Sequence, residues 1–246
     1  MIRLPRLDDH APDRFPDPCH ALVEPNGLLA FGGDLSAPRL LTAYANGIFP
    51  WFNDGEPILW WSPDPRCVFR TDRMRPNRSL RRALKDKAWH VTVNRAFRSV
   101  MEACTAPRPA QFGTWISPAM IDAYAALHGL GYAHSVEVWE RGHLVGGIYG
   151  VSIGRLFCGE SMFSAHSGGS KLALCALAAL LREWGFPLID AQVSNPHLLG
   201  LGAEEMPREV FLQNVAALVS APFDMRRWEE LPVVSAQRIL EGGTFI

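Results

Sequence analysis

A long apolar helix, with strand-like segments before and after it, constrains the fold of this chain more than any other feature. The segment Ser170 to Trp184 has a helical pattern, is closed by Gly185, and is apolar on nearly every side. A helix that is apolar all round is buried in the interior of a protein. We therefore expect this helix to be covered on several sides by other elements.

The segments around this helix alternate between strand and helix patterns. Apolar runs bounded by glycine-containing turns predict strands at His134 to Trp139, His143 to Val151, Arg155 to Ser161 and Leu188 to Gln192. Capping residues and closing glycines predict further helices at Pro38 to Asn46, Ser79 to Lys87, Ser117 to Gly129 and Pro207 to Val219. A loop is expected around Asn195, and the tail after Pro222 is expected to be irregular. The predicted fold class is therefore α/β (α+β), a mixed sheet with helices packed on it.

The first 65 residues differ from the rest because they are rich in proline, glycine and aromatic residues and have few long periodic segments. We predict a small aromatic-rich N-terminal domain over residues 1–65 and a larger domain over residues 66–246. The chain length of 246 residues suits this division, since it can hold a small domain leaning on a mid-sized one.

Polar residues interrupt two strand patterns that are otherwise apolar. Glu160 and Ser161 lie at the end of one predicted strand, and Asp190 and Gln192 close the next. An ionised carboxylate is costly to bury unless it is paired or hydrogen-bonded. Because the apolar helix joins these two strands, the polar residues can form the floor and wall of a substrate pocket. The alternative is a pair of structural hydrogen-bonding networks.

Positive charge is concentrated in one segment, residues 66 to 87, which we call the basic strip. It holds nine Lys and Arg residues against Asp72 and Asp86, in a chain whose net charge is −1. A basic segment in a nearly neutral protein is a candidate for contact with a polyanion. A solvated helix face is the alternative explanation.

Several site classes are disfavoured by the sequence. Gly159-Glu160-Ser161-Met162-Phe163 lacks the second glycine of a nucleophile elbow, and neither a dinucleotide fingerprint nor a phosphate-binding loop with its Gly-Lys-Ser/Thr end is present. The eight histidines are scattered and the five cysteines form no Cys-x-x-Cys pair, so no metal and no cofactor is expected. Ser167-Gly168-Gly169-Ser170-Lys171 could bind a phosphate or carboxylate at a helix N-terminus, or could be a flexible cap with a solvated lysine.

The expected location is the cytoplasm. No apolar run approaches the ~18 to 20 residues of a membrane span, so no membrane contact is expected. The first nine residues contain no apolar signal core, which predicts no export. An odd number of widely spaced cysteines also favours a reducing compartment.

Ordered, aromatic-rich motifs give the chain a resemblance to the leucyl/phenylalanyl-tRNA–protein transferases, over roughly residues 20 to 212. The N-terminal motifs are Glu24-Pro25-Asn26-Gly27-Leu28-Leu29-Ala30, Gly32-Gly33-Asp34-Leu35-Ser36, Gly47-Ile48-Phe49-Pro50-Trp51-Phe52 and Trp60-Trp61-Ser62-Pro63-Asp64-Pro65-Arg66. The later ones are Gly113-Thr114-Trp115-Ile116, His134 to Trp139, Gly146 to Gly150, Gly159 to Ser164, Leu188 to Gln192 and Leu201-Gly202-Ala203. The sequence departs from the family at Ala165 to Gly169, where an Asn-Ala pair more often precedes Ser-Lys.

The resemblance implies a reaction, a fold and partners. Leucine, phenylalanine or, less well, methionine leaves its tRNA and joins the N-terminal Arg or Lys of an acceptor protein, which marks that protein for degradation by the bacterial N-degron route. The larger domain is expected to be similar to the GCN5-related N-acetyltransferases. The implied partners are aminoacyl-tRNA and the acceptor protein.

The resemblance also implies roles for individual residues. Trp51 and Trp115 stack on the terminal adenosine of the tRNA. An apolar pocket for the transferred side chain has Glu160 and Ser161 at its edge and is lined by Ile148, Phe157, Leu174, Leu181 and Ile189. The basic strip holds the tRNA backbone, through Arg66, Arg75, Arg78, Arg81, Arg82 and Lys85.

Asp190 and Gln192 are the catalytic residues that the resemblance implies. A side-chain amide accepts hydrogen bonds but is a very poor base. We therefore expect Gln192 to orient the attacking amine, and Asp190 to hold Gln192 or to stabilise the ammonium.

Two other functions would each explain part of the sequence. A small-molecule N-acyltransferase of the same fold should carry a Gln/Arg-x-x-Gly-x-Gly/Ala loop before its long helix, and the sequence has none. A non-catalytic RNA-binding module would explain the basic strip but not Glu160, Asp190 and Gln192 at strand ends.

Overall fold

The computed structural model describes residues 4–106 and 115–245. Within these residues the chain forms twelve strands and eight α-helices, with short 3-10 helices at Pro18–His20 and Met225–Trp228. The strands are β1 (Arg6–Leu7), β2 (Leu28–Gly32), β3 (Phe49–Pro50), β4 (Leu59–Trp61), β5 (Arg66–Arg70), β6 (Trp89–Val93), β7 (Ala133–Glu140), β8 (His143–Ile153), β9 (Leu156–Ser164), β10 (Leu188–Gln192), β11 (Glu204–Met206) and β12 (Val234–Ser235). The helices are α1 (Ala37–Ala45), α2 (Arg78–Leu84), α3 (Phe97–Cys104), α4 (Pro118–Gly129), α5 (Gly169–Glu183), α6 (Pro196–Gly200), α7 (Arg208–Val219) and α8 (Ala236–Leu240).

An eight-stranded mixed sheet forms the centre of the molecule, in the order β11-β5-β10-β9-β8-β7-β6-β12. Its neighbouring strands are antiparallel except β9 and β10, which are parallel. Parallel neighbours need a crossover connection, and α5 supplies it. This is the apolar helix of the sequence, and its residues from Leu172 to Leu181 are all buried.

Both faces of this sheet are covered, because successive residues of its strands enter different core clusters. Phe157 and Ile189 belong to the cluster around α5, whereas Cys158 and Leu188 belong to a second cluster with α1, α3, α4 and α7. Side chains of consecutive strand residues point to opposite faces of a sheet, so the two clusters lie on its two faces.

A second, four-stranded sheet in the order β1-β2-β4-β3 is built from the first part of the chain. The predicted domain boundary at residue 65 falls between β4, which belongs to the four-stranded sheet, and β5, which belongs to the eight-stranded sheet. The mixed α/β class and the small N-terminal domain predicted from the sequence are confirmed.

Most predicted elements are confirmed. The strand Leu188–Gln192 and the helix Pro118–Gly129 have the predicted bounds, and α5 begins one residue before the predicted Ser170. The predicted helix over Ser79 to Lys87 is shorter, Arg78–Leu84, and Asn77 caps it by accepting from the Leu80 N–H.

Three predictions about local structure are wrong. β9 continues to Ser164, so Glu160 lies inside the strand and not at its end. The segment after Asn195 is the helix α6, because the Asn195 side chain accepts from the Leu198 N–H and caps it. The tail after Pro222 contains ordered elements, and Trp228 is buried against the core because it stacks on His134 with ring centroids 4.0 Å apart.

Two irregularities separate the central strands at one end. Within the described residues, β9 and β10 pair at Phe157–Ile189 and Cys158–Asp190 and at no later position. A β-bulge opposite Tyr149 and Gly150 leaves Glu160 without a partner in β8, and a second one leaves Ala191 without a partner in β5. Bulges bend a strand and re-aim its side chains. The strands therefore open into a cleft where the polar residues lie.

Candidate active site

The cleft between the separated ends of β9 and β10 has a volume of about 380 Å³. It is bounded by β3, β9, β10 and the start of α6. Its lining residues are Phe49, Pro50, Trp51, Trp115, Glu160, Ser161, Met162, Ala191, Gln192, Val193, Ser194, Asn195, His197 and Leu198. Five of the residues predicted to form the site therefore lie together here: Trp51, Trp115, Glu160, Ser161 and Gln192.

Gln192 is held in one orientation at the floor of this cleft. Its Nε2 donates a 2.7 Å hydrogen bond to Glu160 Oε1, and its backbone N–H donates a 2.9 Å bond to Asp190 Oδ1. Its φ of 64° is in the left-handed region, which non-glycine residues adopt only where the surroundings enforce it. Because the amide nitrogen faces Glu160, the amide oxygen is left to accept a hydrogen bond from a ligand in the cleft.

Asp190 lies beneath Gln192 and is paired with Arg66. The Arg66 guanidinium donates two 2.7 Å hydrogen bonds, from Nε and Nη2, to the two carboxylate oxygens. Nη1 of Arg66 donates to the Gly47 carbonyl, and the guanidinium carbon lies 4.5 Å from the centroid of the Phe211 ring. Asp190 is 0% exposed and Arg66 is 1% exposed. Asp190 therefore fixes the backbone of Gln192 and does not reach the open cleft.

The prediction that Arg66 contacts tRNA is wrong. Its guanidinium is enclosed between two aromatic rings and bonded to a carboxylate and a carbonyl, so no phosphate can reach it. The charge on Arg66 serves instead to stabilise the buried Asp190.

Glu160 is tied to two buried tyrosines. Its Oε2 accepts a 3.2 Å hydrogen bond from the Tyr124 hydroxyl, which is in turn hydrogen-bonded to the hydroxyl of Tyr44. Burial raises the pKa of Glu160 to about 7, and the nearby Asp190 charge acts in the same direction. Burial and the charge of Glu160 raise the pKa of both tyrosines well above 10, so they stay protonated donors.

Aromatic rings form the other side of the cleft. Trp51 is 43% exposed, and Trp61 supports it with ring centroids 5.6 Å apart and a 2.7 Å hydrogen bond from its Nε1 to the Trp51 carbonyl. Trp115 also lines the cleft and is partly buried. Gly113 and Thr114, the first half of the motif that contains Trp115, lie outside the described residues.

The predicted apolar pocket wall does not line the open cleft. Its five residues are at most 5% exposed and belong to the core cluster on α5: Ile148, Phe157, Leu174, Leu181 and Ile189. Three apolar residues of the cleft surface, Met162, Ala191 and Leu198, pack against that cluster. The five residues thus lie behind the cleft surface and support it from below.

The remaining basic residues of the predicted tRNA contact are exposed: Arg75, Arg78, Arg81, Arg82 and Lys85. Within the described residues no carboxylate forms an ion pair with any of them. Arg75 and Arg81 donate to the backbone carbonyls of Met74 and Pro76. These side chains are therefore available to an anionic partner.

The sequence analysis did not find two residues of the site, Tyr44 and Tyr124, and it gave Arg66 a different role. Tyr44 and Tyr124 sit on α1 and α4, where an aromatic residue facing the core is expected for packing alone. The role of Arg66 could have been found from its position, because it opens a strand whose next three residues are buried and apolar. A buried Asp190 also requires a cation nearby.

Two negative findings hold for residues 4–106 and 115–245. No group of three or more His, Cys, Asp and Glu side chains there is placed to hold a metal ion. No helix in that part of the chain is long and apolar enough to cross a membrane.

Comparison with known proteins identifies the family. The chain matches the model of the leucyl/phenylalanyl-tRNA protein transferase over residues 68–216 and that of its N-terminal domain over residues 33–64. A leucyl/phenylalanyl-tRNA–protein transferase of Xanthomonas oryzae pv. oryzae is 58% identical over 217 residues, 88% of this chain and 87% of that protein. One of Xanthomonas euvesicatoria pv. vesicatoria is 61% identical over 84% of this chain and 83% of that protein, and one of Shewanella denitrificans is 53% identical over 88% and 92%.

Solved structures resemble the chain only distantly. A functionally unknown conserved protein of Staphylococcus epidermidis has a TM-score of 0.40 at 10% identity and covers 73% of this chain and 68% of its own. The L-PGS structure of Bacillus licheniformis has a TM-score of 0.39 at 12% identity, covering 82% of this chain and 65% of its own. The assignment rests on the family models and on the close relatives: the chain belongs to the leucyl/phenylalanyl-tRNA–protein transferase family and is a transferase enzyme.

Proposed function

We propose that this protein moves leucine or phenylalanine, and methionine less well, from its tRNA to the α-amine of an N-terminal Arg or Lys of an acceptor protein. The observation that carries the proposal is the oriented amide of Gln192 at the floor of a cleft with aromatic rings on one side and apolar side chains on another. The cleft offers a place for each part of an aminoacyl-adenosine and for an attacking amine.

The adenosine of the tRNA 3′ end is proposed to stack on Trp51 and Trp115. The partly exposed ring of Trp51 lines the cleft and packs on Trp61 at a tilt, so it is open to a base in the cleft. Stacking of a base on an aromatic side chain is worth ~1 to 3 kcal/mol and does not depend on tRNA identity. An enzyme that recognises the amino acid and the shared 3′ end does not need to read the tRNA sequence.

The chemical step needs position more than it needs a strong base. The acceptor nitrogen attacks the ester carbonyl carbon, the bond from that carbon to the ribose oxygen breaks, and a proton lost by the amine passes to the departing ribose oxygen, which becomes a hydroxyl. An N-terminal amine has a pKa of about 7.7 to 8.0, so roughly a tenth of it is free base at pH 7. Holding that amine against the ester can supply up to ~7 to 11 kcal/mol of the barrier reduction. Gln192 Oε1 is proposed to hold it by accepting one of its N–H bonds.

The side chain of the transferred amino acid is proposed to lie on Met162, Ala191 and Leu198. Beneath them, Ile148, Phe157, Leu174, Leu181 and Ile189 back the pocket. Such a surface accepts unbranched or γ-branched side chains, and methionine fits by its flexibility. A β-branched side chain adds width at the mouth of the pocket.

The exposed part of the basic strip is proposed to hold the acceptor stem through its phosphates. Arg78, Arg81 and Arg82 lie within one short helix, α2, with Arg75 before it and Lys85 after it. Phosphate contacts of this kind position a nucleic acid without reading its sequence. We expect the enzyme to act in the cytoplasm, where the added leucine would mark the acceptor protein for the bacterial N-degron route.

The test is transfer of labelled leucine from charged tRNA to a peptide that begins with Arg. We expect a peptide with one added N-terminal leucine, and no product from the same peptide with an acetylated N-terminus. A chain that bound Leu-tRNA but left both peptides unchanged would refute the proposal.

A further inference from the structure

The proposed acceptor carries a positive charge on its first side chain, so the cleft needs a carboxylate to meet it. The present inference rests on that proposed function. Both carboxylates at the cleft floor are already committed: Asp190 is paired with Arg66, and Glu160 accepts from Gln192 and Tyr124. The carboxylate that meets the acceptor side chain must therefore lie elsewhere on the rim.

Glu205 lies beside this rim and is hydrogen-bonded to one of the residues that line the cleft. It is exposed, and its Oε1 accepts a hydrogen bond from the hydroxyl of Ser194, a residue that lines the cleft. Within the described residues no Lys, Arg or His forms an ion pair with Glu205. The Ser194 hydroxyl solvates this carboxylate but does not neutralise its charge, so Glu205 remains available to a cation from solution.

The register of the sheet sets the distance from Glu205 to the reacting centre. Cys67 of β5 is the pairing partner of Gln192 on one side and of Glu205 on the other. Two interstrand spacings, about 9.6 Å in all, therefore separate the backbones of Gln192 and Glu205. This span suits the long, flexible arm of a lysine or arginine whose own α-amine is bound at Gln192.

The neighbouring carboxylate, Glu204, does not lie at the position of Glu205 beside the cleft. Glu204 pairs with Val68 in β5, and its oxygens accept from Arg70 at 2.7 Å and from Arg73 at 2.9 Å. Because consecutive strand residues point to opposite faces, Glu204 and Glu205 face different sides of the sheet. Glu204 is therefore a matched control for Glu205.

We propose that Glu205 is the acceptor-binding residue that selects a cationic N-terminal side chain, by accepting hydrogen bonds from the guanidinium of Arg or the ammonium of Lys. Ser194 holds the carboxylate towards the cleft while Gln192 holds the amine. An acceptor with a neutral first side chain then keeps the contact of its amine with Gln192 but lacks the contact with Glu205.

The test compares transfer of leucine to three peptides that differ only at the first residue: Arg, Lys or citrulline, the neutral analogue of Arg. Glu205→Gln should lower kcat/KM for the Arg and Lys peptides by about 10- to 100-fold, the loss of one charge-assisted contact. It should leave the lower value for the citrulline peptide within a factor of about two, since an amide can still accept from Ser194. Glu204→Gln should keep the wild-type preference for Arg over citrulline.

The outcomes separate this inference from the function on which it rests. A wild-type enzyme that modified none of the three peptides would overturn the proposed function and this inference with it. An active Glu205→Gln enzyme that kept the wild-type ratio of Arg to citrulline would overturn the inference alone. An equal loss on all three peptides would assign Glu205 a structural role and would also overturn it.

Discussion

The side-chain amide of Gln192 donates to the carboxylate of Glu160 across 2.7 Å, and this bond fixes which end of the amide faces the cleft. Oε1 of Glu160 accepts this bond, so the carboxyl group binds the amide nitrogen and the amide oxygen is turned outwards. Glu160 is thus a positioning residue for Gln192. Its own position depends on the β-bulge that takes it out of pairing with β8.

Stability should fall as pH rises through the titration of Glu160. Burial raises the pKa of this carboxyl from 4.5 to about 7, so the folded state keeps a proton that the unfolded chain has already lost. The stabilising effect of that proton is complete below about pH 4.5 and is lost as pH approaches 7. Relative to Glu160→Gln, the wild type should lose as much as roughly 3 kcal/mol of unfolding free energy between pH 5 and 8. Urea unfolding of both proteins measures this; parallel pH profiles would contradict the assigned environment.

Removing the cation from the buried ion pair should destabilise the fold. Arg66→Met leaves Asp190 buried and unpaired, which should cost ~3 to 5 kcal/mol of unfolding free energy. Adding Asp190→Asn to that variant should recover part of the loss, because the uncompensated charge is then gone. Chemical denaturation of the wild type, both single variants and the double variant gives the coupling free energy between Arg66 and Asp190. A stability of Arg66→Met within ~1 kcal/mol of wild type would show that the pair is not closed to water.

Charge reversal in the basic strip should weaken tRNA binding and spare the chemistry. With Arg78, Arg81 and Arg82 changed to Glu, the KM for Leu-tRNA should rise and its dependence on salt should weaken. The reaction with leucyl-adenosine, which has no acceptor stem, should keep its rate. The control reverses three exposed arginines elsewhere: Arg14, Arg98 and Arg226. If both donors lost activity equally, the strip would belong to the active site or to the folding core.

The pocket should prefer leucine to isoleucine. Branching at the β-carbon widens the side chain at the pocket mouth, and differences on the scale of a methylene in an apolar pocket are worth about 10- to 200-fold. Met162→Ala opens the cleft surface and should lower this preference, as should Phe157→Ala beneath it. Met225 packs on the same core but does not line the cleft, so Met225→Ala should leave the preference for leucine unchanged. Leu-tRNA and Ile-tRNA competing in one reaction give the ratio directly, and equal use by wild type would remove the pocket from the account.

The sequence predicts the elements of the fold better than it predicts the contacts of the site. Strand Leu188–Gln192 and helix α5 follow from apolar runs and closing glycines, which are local signals. The partner of Asp190 is not a local signal, because Arg66 is 124 residues away in the chain and lies in a segment whose charge favours a polyanion contact.

The position of Glu160 depends on pairing that no local pattern reveals. A bulge is a difference in register between two strands, so the pattern of β9 alone predicts an ordinary strand with a polar end. The apolar pocket wall is misplaced for a similar reason, since residues of one apolar class divide between the cleft surface and the core behind it.

The most direct test of the account is the single-turnover rate of leucine transfer by Gln192→Ala, measured with saturating Leu-tRNA and a peptide that begins with Arg. Loss of the oriented amide should lower this rate by ~10²-fold or more, as expected for a group that acts mainly in the transition state. The affinity for Leu-tRNA should stay within a factor of a few, because the basic strip and the stacking tryptophans are untouched. A single-turnover rate equal to that of wild type, at equal tRNA affinity, would contradict the account.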